Sequence, residues 1–239
     1  MTTHLTFFEH LEELRKRIWV GLVALLVGSI GCYCFADRAL HFVVRPLENV
    51  AQVYFFSPQE AFVVKIKLAI LSGLILTSPV IAGQFWLFIS PALRAHEKKA
   101  VLPLVLVTSF LFLTGVVFCF FLVMPVALKF LVGQQTSFLK PMISITEYIS
   151  FLSMMLLGFG FAFNVPVLIL ALVSVGILSA ATLNKYHRHA IVAIFIAAAI
   201  LTPGPDIASQ LMLAIPLLVL FEISLLIAFI LDRRKGRAK

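Results

Sequence analysis

The chain has 239 residues, 62% of them hydrophobic and 13% charged, with a mean hydropathy of +1.08 and a formal net charge of +8. Ordinary soluble domains are only about half apolar, so the solvent for most of this chain is a lipid bilayer and the expected class is an all-α integral membrane protein of one domain, 1–239. The positive charge sits at the ends of apolar segments, as membrane topology requires. No basic stripe interleaved with aromatics points to nucleic acid.

Residues 1–17 read as an amphipathic cytoplasmic N-terminus. Phe7, Leu11, Leu14 and Ile18 fall within about 60° of one another at 100° per residue, whereas Glu9, Glu12 and Glu13 share another face. The acidic face has two readings. It is either a surface helix with Glu12–Lys16 and Glu13–Arg17 pairs at i,i+4, or an acidic patch for a basic ligand. No small-x-small cleavage site follows, so the N-terminus does not read as a removable signal.

A helix needs about 20 apolar residues to cross the bilayer core. Expected spans are 18–35, 68–89, 101–124, 149–177, 190–201 and 207–231, followed by a basic tail over 232–239. Lys65 and Lys67 extend the outer end of the second. The fifth is short, so either it recruits the polar residues 186–189 or the bilayer thins locally. Pro79, Pro166 and Pro216 interrupt spans two, four and six and predict kinks and a partly concave bundle. The loop over 37–59 is expected to hold a short interfacial helix, and 132–147 reads as an ordinary connection.

Thirteen of the 19 basic residues, including Arg15, Arg94, Lys98, Lys185 and Arg233, fall on one side of these spans. The positive-inside rule makes that side cytoplasmic, with both termini inside. Cys32, Cys34 and Cys119 lie in apolar runs, an odd set that reads as small apolar filler rather than a disulfide framework.

A few polar residues stand out against this background. Glu97 sits among Arg94, Lys98 and Lys99 in the break after Phe88 and Pro91. It is a local ion-pair partner, an anion at a helix start, or one of two boundary carboxylates, with Glu13, that can each hold a guanidinium in a bidentate fork. Asn164, Gln210 and Glu222 lie at membrane depth, where an ionisable group is a functional hypothesis by default. Asp206 after Pro203 and Pro205 reads as a turn residue capping the sixth helix. His187 and His189 read as solvated loop residues. Phosphate-loop, zinc-protease and nucleophile-elbow motifs are absent, so no enzyme, metal or cofactor is expected.

Taken together, these residues resemble one family: TatC, the multispanning core of the twin-arginine protein translocase. The matching motifs are His10-Leu11-Glu12-Glu13-Leu14-Arg15-Lys16-Arg17, Ser78-Pro79-Val80 with Gln84-Phe85-Trp86, and Phe88-Ile89-Ser90-Pro91-Ala92-Leu93 leading to His96-Glu97-Lys98. Phe163-Asn164-Val165-Pro166, Leu201-Thr202-Pro203 through Asp206 to Ser209-Gln210, and Ala214-Ile215-Pro216 with Phe221-Glu222-Ile223 complete the set. The resemblance implies a glove-like bundle of six helices in a bacterial inner membrane. It also implies a receptor for the paired-arginine signal peptides of folded precursor proteins, which cross the membrane using the proton-motive force. By the same resemblance Glu97 and Glu13 hold the arginine pair, with Phe88 and Arg15 nearby. Thr202 and Gln210 bind the single-helix partners TatA and TatB, Asp206 sits at the outer turn, and the chain forms homo-oligomers within the complex. Asn164 stands where many members carry glutamate, and an amide cannot ionise. The alternative from another class is a secondary transporter lined by Asn164 and Glu222, which the lack of an internal repeat disfavours. An intramembrane enzyme lacks a catalytic pair.

Overall fold

The computed structural model describes residues 7–48, 53–90, 101–133, 142–175, 180–201 and 207–236. Within them the chain is almost wholly helical. Ten helices are present: α1 (Phe7–Tyr33), α2 (Ala36–Glu48), α3 (Glu60–Ile89), α4 (Val101–Phe118), α5 (Met124–Gly133), α6 (Ile145–Ala162), α7 (Val165–Val175), α8 (Ala180–Lys185), α9 (His187–Leu201) and α10 (Ile207–Gly236). Five helical stretches are long and apolar enough to cross a membrane: Phe8–Tyr33, Glu60–Ile89, Val101–Gly133, Ile145–Val173 and Leu213–Ile230. This is the expected class, because in lipid each backbone amide must find its partner inside its own helix.

From Phe7 on, the expected amphipathic N-terminal segment and first span are one continuous helix, α1, so the charged residues of its first turns are fixed to its apolar stem. It packs along α3. The two helices cross closely at Gly73, where an added Cβ would lie 2.6 Å from Ser29 N and 2.7 Å from Ser29 Cα. Small residues let helix backbones approach in lipid, where packing rather than water exclusion drives association. α4 packs on both α3 and α6, which also touch each other, and α10 packs on α7 and α9.

Proline explains most departures from the expected boundaries. The third span runs on to Gly133 through a π-turn, Cys119–Val123, in which Met124 N–H bonds Cys119 O. Pro125, immediately after it, lacks the N–H needed to continue the α ladder. The fourth span begins earlier than expected, at Ile145, and is two helices, α6 and α7, broken at Phe163 and Asn164 just before Pro166. Pro79 and Pro216 lie inside unbroken helices.

The fifth helix recruits polar residues, as one of the two readings had it. α9 starts at His187 and its 15 residues still rise only about 22 Å against a ~30 Å core. The loop after α1 holds the expected short helix, α2, whose Ala36, Val43 and Leu47 are buried. The connection over 132–147 is more than a loop. Its Ile143 and Ser144 pair in parallel with Val53 and Tyr54, and Tyr148 Oη donates to Val43 O at 2.7 Å. The main core gathers Leu68, Cys119, Met124, Ile149, Leu152 and Phe159 between α3, α4 and α6.

Candidate functional site

The polar end of α1 meets the C-terminal end of α3. The His10 imidazole stacks on the Phe88 ring with centroids 4.5 Å apart and planes 19° from parallel. From the sequence His10 enters only as part of the family motif, with no role of its own, since a lone histidine on an acidic helix face carries no spacing signal. Below this stack, Leu14, Arg17, Leu22, Gln84, Phe85 and Phe88 line a hollow of about 340 Å³ between the helices. Its wall is apolar apart from the guanidinium and the amide.

Arg17 lines this hollow and pairs with Glu13. Arg17 Nε donates to Glu13 Oε1 at 3.1 Å, and a terminal guanidinium nitrogen donates to the same oxygen. The side chains are only 23% and 22% exposed respectively, so solvent screens the pair less than a fully exposed one. Both bonds end on Oε1, and among the described residues Glu13 Oε2 accepts no hydrogen bond. The expected Glu13–Arg17 pair is therefore present. The expected Glu12–Lys16 pair is replaced by Glu12–Arg15 at 3.5 Å, i,i+3, with both side chains more than 70% exposed; exposed pairs of this kind are worth little. Arg15 thus faces away from Glu13 and does not line the hollow. Glu97, with the rest of 91–100, lies outside the described residues, as do Thr202 and Asp206.

The remaining polar candidates sit elsewhere. Asn164 is buried at the break between α6 and α7. Its backbone N–H turns to Phe161 O at 3.0 Å, and its Nδ2 donates instead to Gly160 O, also at 3.0 Å. The amide therefore satisfies a carbonyl that the break would otherwise leave without a donor. A carboxylate does this only when protonated. Asn164 also lines a hollow of about 290 Å³ with Trp86, Thr108 and Phe112, in which Trp86 Nε1 donates to Thr108 Oγ1 at 2.8 Å.

Gln210 Nε2 donates to Phe195 O at 3.0 Å and ties α10 to α9. Glu222 meets His187 Nε2 at 3.3 Å, and the His187 ring also lies 5.7 Å from that of Phe221. His187 is accordingly no solvated loop residue but the helix-starting partner of Glu222. His189 stands next to Tyr186 at 5.6 Å between centroids. The pair was hidden in the sequence because 35 residues and a whole helix separate its members.

The fold defines a multi-span membrane protein with a polar cluster where α1 meets the end of α3. A family profile described as "Sec-independent protein translocase protein (TatC)" matches residues 9–216. The TatC protein of Carboxydothermus hydrogenoformans is 42% identical over 225 residues, covering 94% of this chain and 93% of that one. The TatC protein of Aquifex aeolicus is 38% identical, covering 95% and 96%. A crystal structure of the twin-arginine translocase receptor TatC in a detergent superposes with a TM-score of 0.85 at 37% identity, covering 92% of this chain and 99% of that one. The chain belongs to the TatC family. It is therefore a non-enzymatic membrane component of the Sec-independent protein translocase, and membership implies partner Tat subunits, signal peptides and a bacterial inner membrane.

Proposed function

We propose that this chain is the signal-peptide receptor of the translocase, with the arginine pair held at the junction of α1 and α3. The observation that carries this reading is Glu13, whose Oε2 accepts no hydrogen bond among the described residues and whose partner Arg17 lines an apolar hollow with Phe88. A guanidinium docks on the carboxylate, and the apolar stretch that follows the charged region of a signal peptide lies along Leu14, Leu22 and Phe85. Glu97, on the connection that follows Phe88, supplies the second carboxylate. Arg15 takes part only through Glu12 and the field of the helix end.

The chain crosses the membrane six times with both termini in the cytoplasm, which puts Glu13, Phe88 and Glu97 on the side where precursors are made. Thr202 and Gln210 mark the edge that binds TatA- and TatB-type helices, with Asp206 at the outer turn beside it, and copies of the chain assemble as a homo-oligomer. Folded cargo moves at the expense of the proton-motive force.

The test is binding of a twin-arginine signal peptide to the purified full-length protein in detergent. Glu13→Gln keeps the shape and removes the charge, and should weaken binding about tenfold or more, as loss of a charged hydrogen bond implies. Glu97→Ala should abolish binding. Replacing both peptide arginines by lysine should weaken it comparably, because an ammonium cannot fork onto a carboxylate. Unchanged affinity in all three would overturn the assignment.

A further inference from the structure

A second site lies at the opposite end of α3. Lys67 is 21 residues from Phe88 on the same helix, about 32 Å along its axis and so about one hydrocarbon thickness away. If Phe88 stands at one headgroup level, Lys67 stands at the other. Its Nζ donates to Ser150 Oγ at 2.7 Å, which leaves two ammonium hydrogens for other acceptors. The Ser150 hydroxyl is itself committed to Thr146 O at 2.6 Å. Among the described residues no carboxylate lies within ion-pair distance of Lys67, whereas Lys65 is matched by Asp37 at 2.7 Å.

Lys67 and Ser150 stand at the polar end of a hollow of about 320 Å³ between α3 and α6. Ile70 and Leu74 follow Lys67 at i+3 and i+7, and Ser153 and Leu157 follow Ser150 at the same spacing, so each helix presents one stripe. Both helices run the same way through the membrane, from the Lys67 end inward. The two stripes together are polar at the headgroup level and apolar towards the bilayer centre, the pattern of an amphiphile with an anionic head. Glu147, exposed and one turn nearer the water, lines the neighbouring hollow with Ser150 and Tyr148. It leaves the position facing Lys67 to an anion.

We infer that this hollow binds a membrane phospholipid, its phosphate on the Lys67 ammonium and an acyl chain along Leu74 and Leu157. The inference does not depend on the signal-peptide reading. It is tested by native mass spectrometry of the delipidated full-length protein titrated with dioleoyl phosphatidylglycerol. The wild type should retain one lipid whose apparent affinity falls about tenfold in Lys67→Gln, the loss expected for one charged hydrogen bond. Lys67→Arg should keep it, and so should Lys129→Gln, which removes an exposed cation from α5. Dioleoylglycerol, with the chains and no phosphate, should be retained about tenfold less well, and glycerol 3-phosphate, with no chains, should not compete.

Equal retention by Lys67→Gln and wild type would overturn the site. So would equal retention of dioleoylglycerol, which would leave only an apolar groove, or full competition by glycerol 3-phosphate, which would make it a free-anion site. Loss of a co-purified single-span partner in Lys67→Gln, with lipid retention unchanged, would assign the lysine to a protein contact instead.

Discussion

Asn164 shows how much one side chain does at a helix break. Pro166 cannot continue the ladder, the Asn164 N–H has moved to Phe161 O, and the side-chain amide takes up Gly160 O. Asn164→Leu keeps the branched shape, adds some bulk and removes the donor. A buried carbonyl left without its partner costs about 1–3 kcal/mol, partly offset because the substitution also removes the buried Asn164 Oδ1, which has no partner among the described residues. In a chain of this size each net kcal/mol lowers the unfolding midpoint by about 2–4 °C. The fall should be visible in the fluorescence of Trp86, which lines the same hollow. An unchanged midpoint would mean that the amide has no structural part there. Glu13 is the converse case: its pairing with Arg17 follows from i,i+4 spacing alone, yet that Oε2 accepts no hydrogen bond among the described residues appears only once both bonds are seen to end on Oε1.

Among the elements, the α1–α3 pair positions the candidate site. Its closeness rests on Gly73, since any Cβ there would run into the Ser29 backbone. Gly73→Leu should spread the helices, lower thermal stability and weaken peptide binding together. Gly31→Leu, on the same α1 but with nothing within 4 Å of its added Cβ, should do neither. Equal behaviour of the two variants would remove the crossing from the account.

The apolar runs were legible in the sequence because lipid selects continuous stretches of about 20 residues, and the short fifth helix was legible for the same reason. The helix in the 37–59 loop was readable from its mixed apolar and charged residues. The β pairing of Val53–Tyr54 with Ile143–Ser144 was not, since a two-residue pairing leaves no periodicity. Nor was the partner of Glu222, because i,i+4 reasoning reaches only along one helix and His187 comes from another.

Across the whole molecule, two polar clusters stand at the two ends of α3, apart from the Glu222–His187 pair and the Gln210 bond that tie α10 to α9. Glu13, Arg17, His10 and Phe88 gather at one end and Lys67 with its serines at the other, with a mainly apolar core between them that holds isolated polar groups such as Asn164 and Ser109. In the proposed topology, argued from the thirteen-to-six division of basic residues, the first end faces the cytoplasm, where a receptor for exported precursors would present its site.

The central claim, that the hollow between α1 and α3 receives the signal peptide, is tested most directly by site-specific photocrosslinking. A photoreactive residue is placed at position 14 or 22 in the hollow, or at position 30, an outward and 71% exposed position on the same helix. With the peptide added to inverted membranes, positions 14 and 22 should capture the arginine region and the apolar stretch that follows it. Position 30 should capture little, and an Arg-to-Lys peptide should abolish the signal. Equal capture from position 30, or capture that ignores the arginines, would contradict the account.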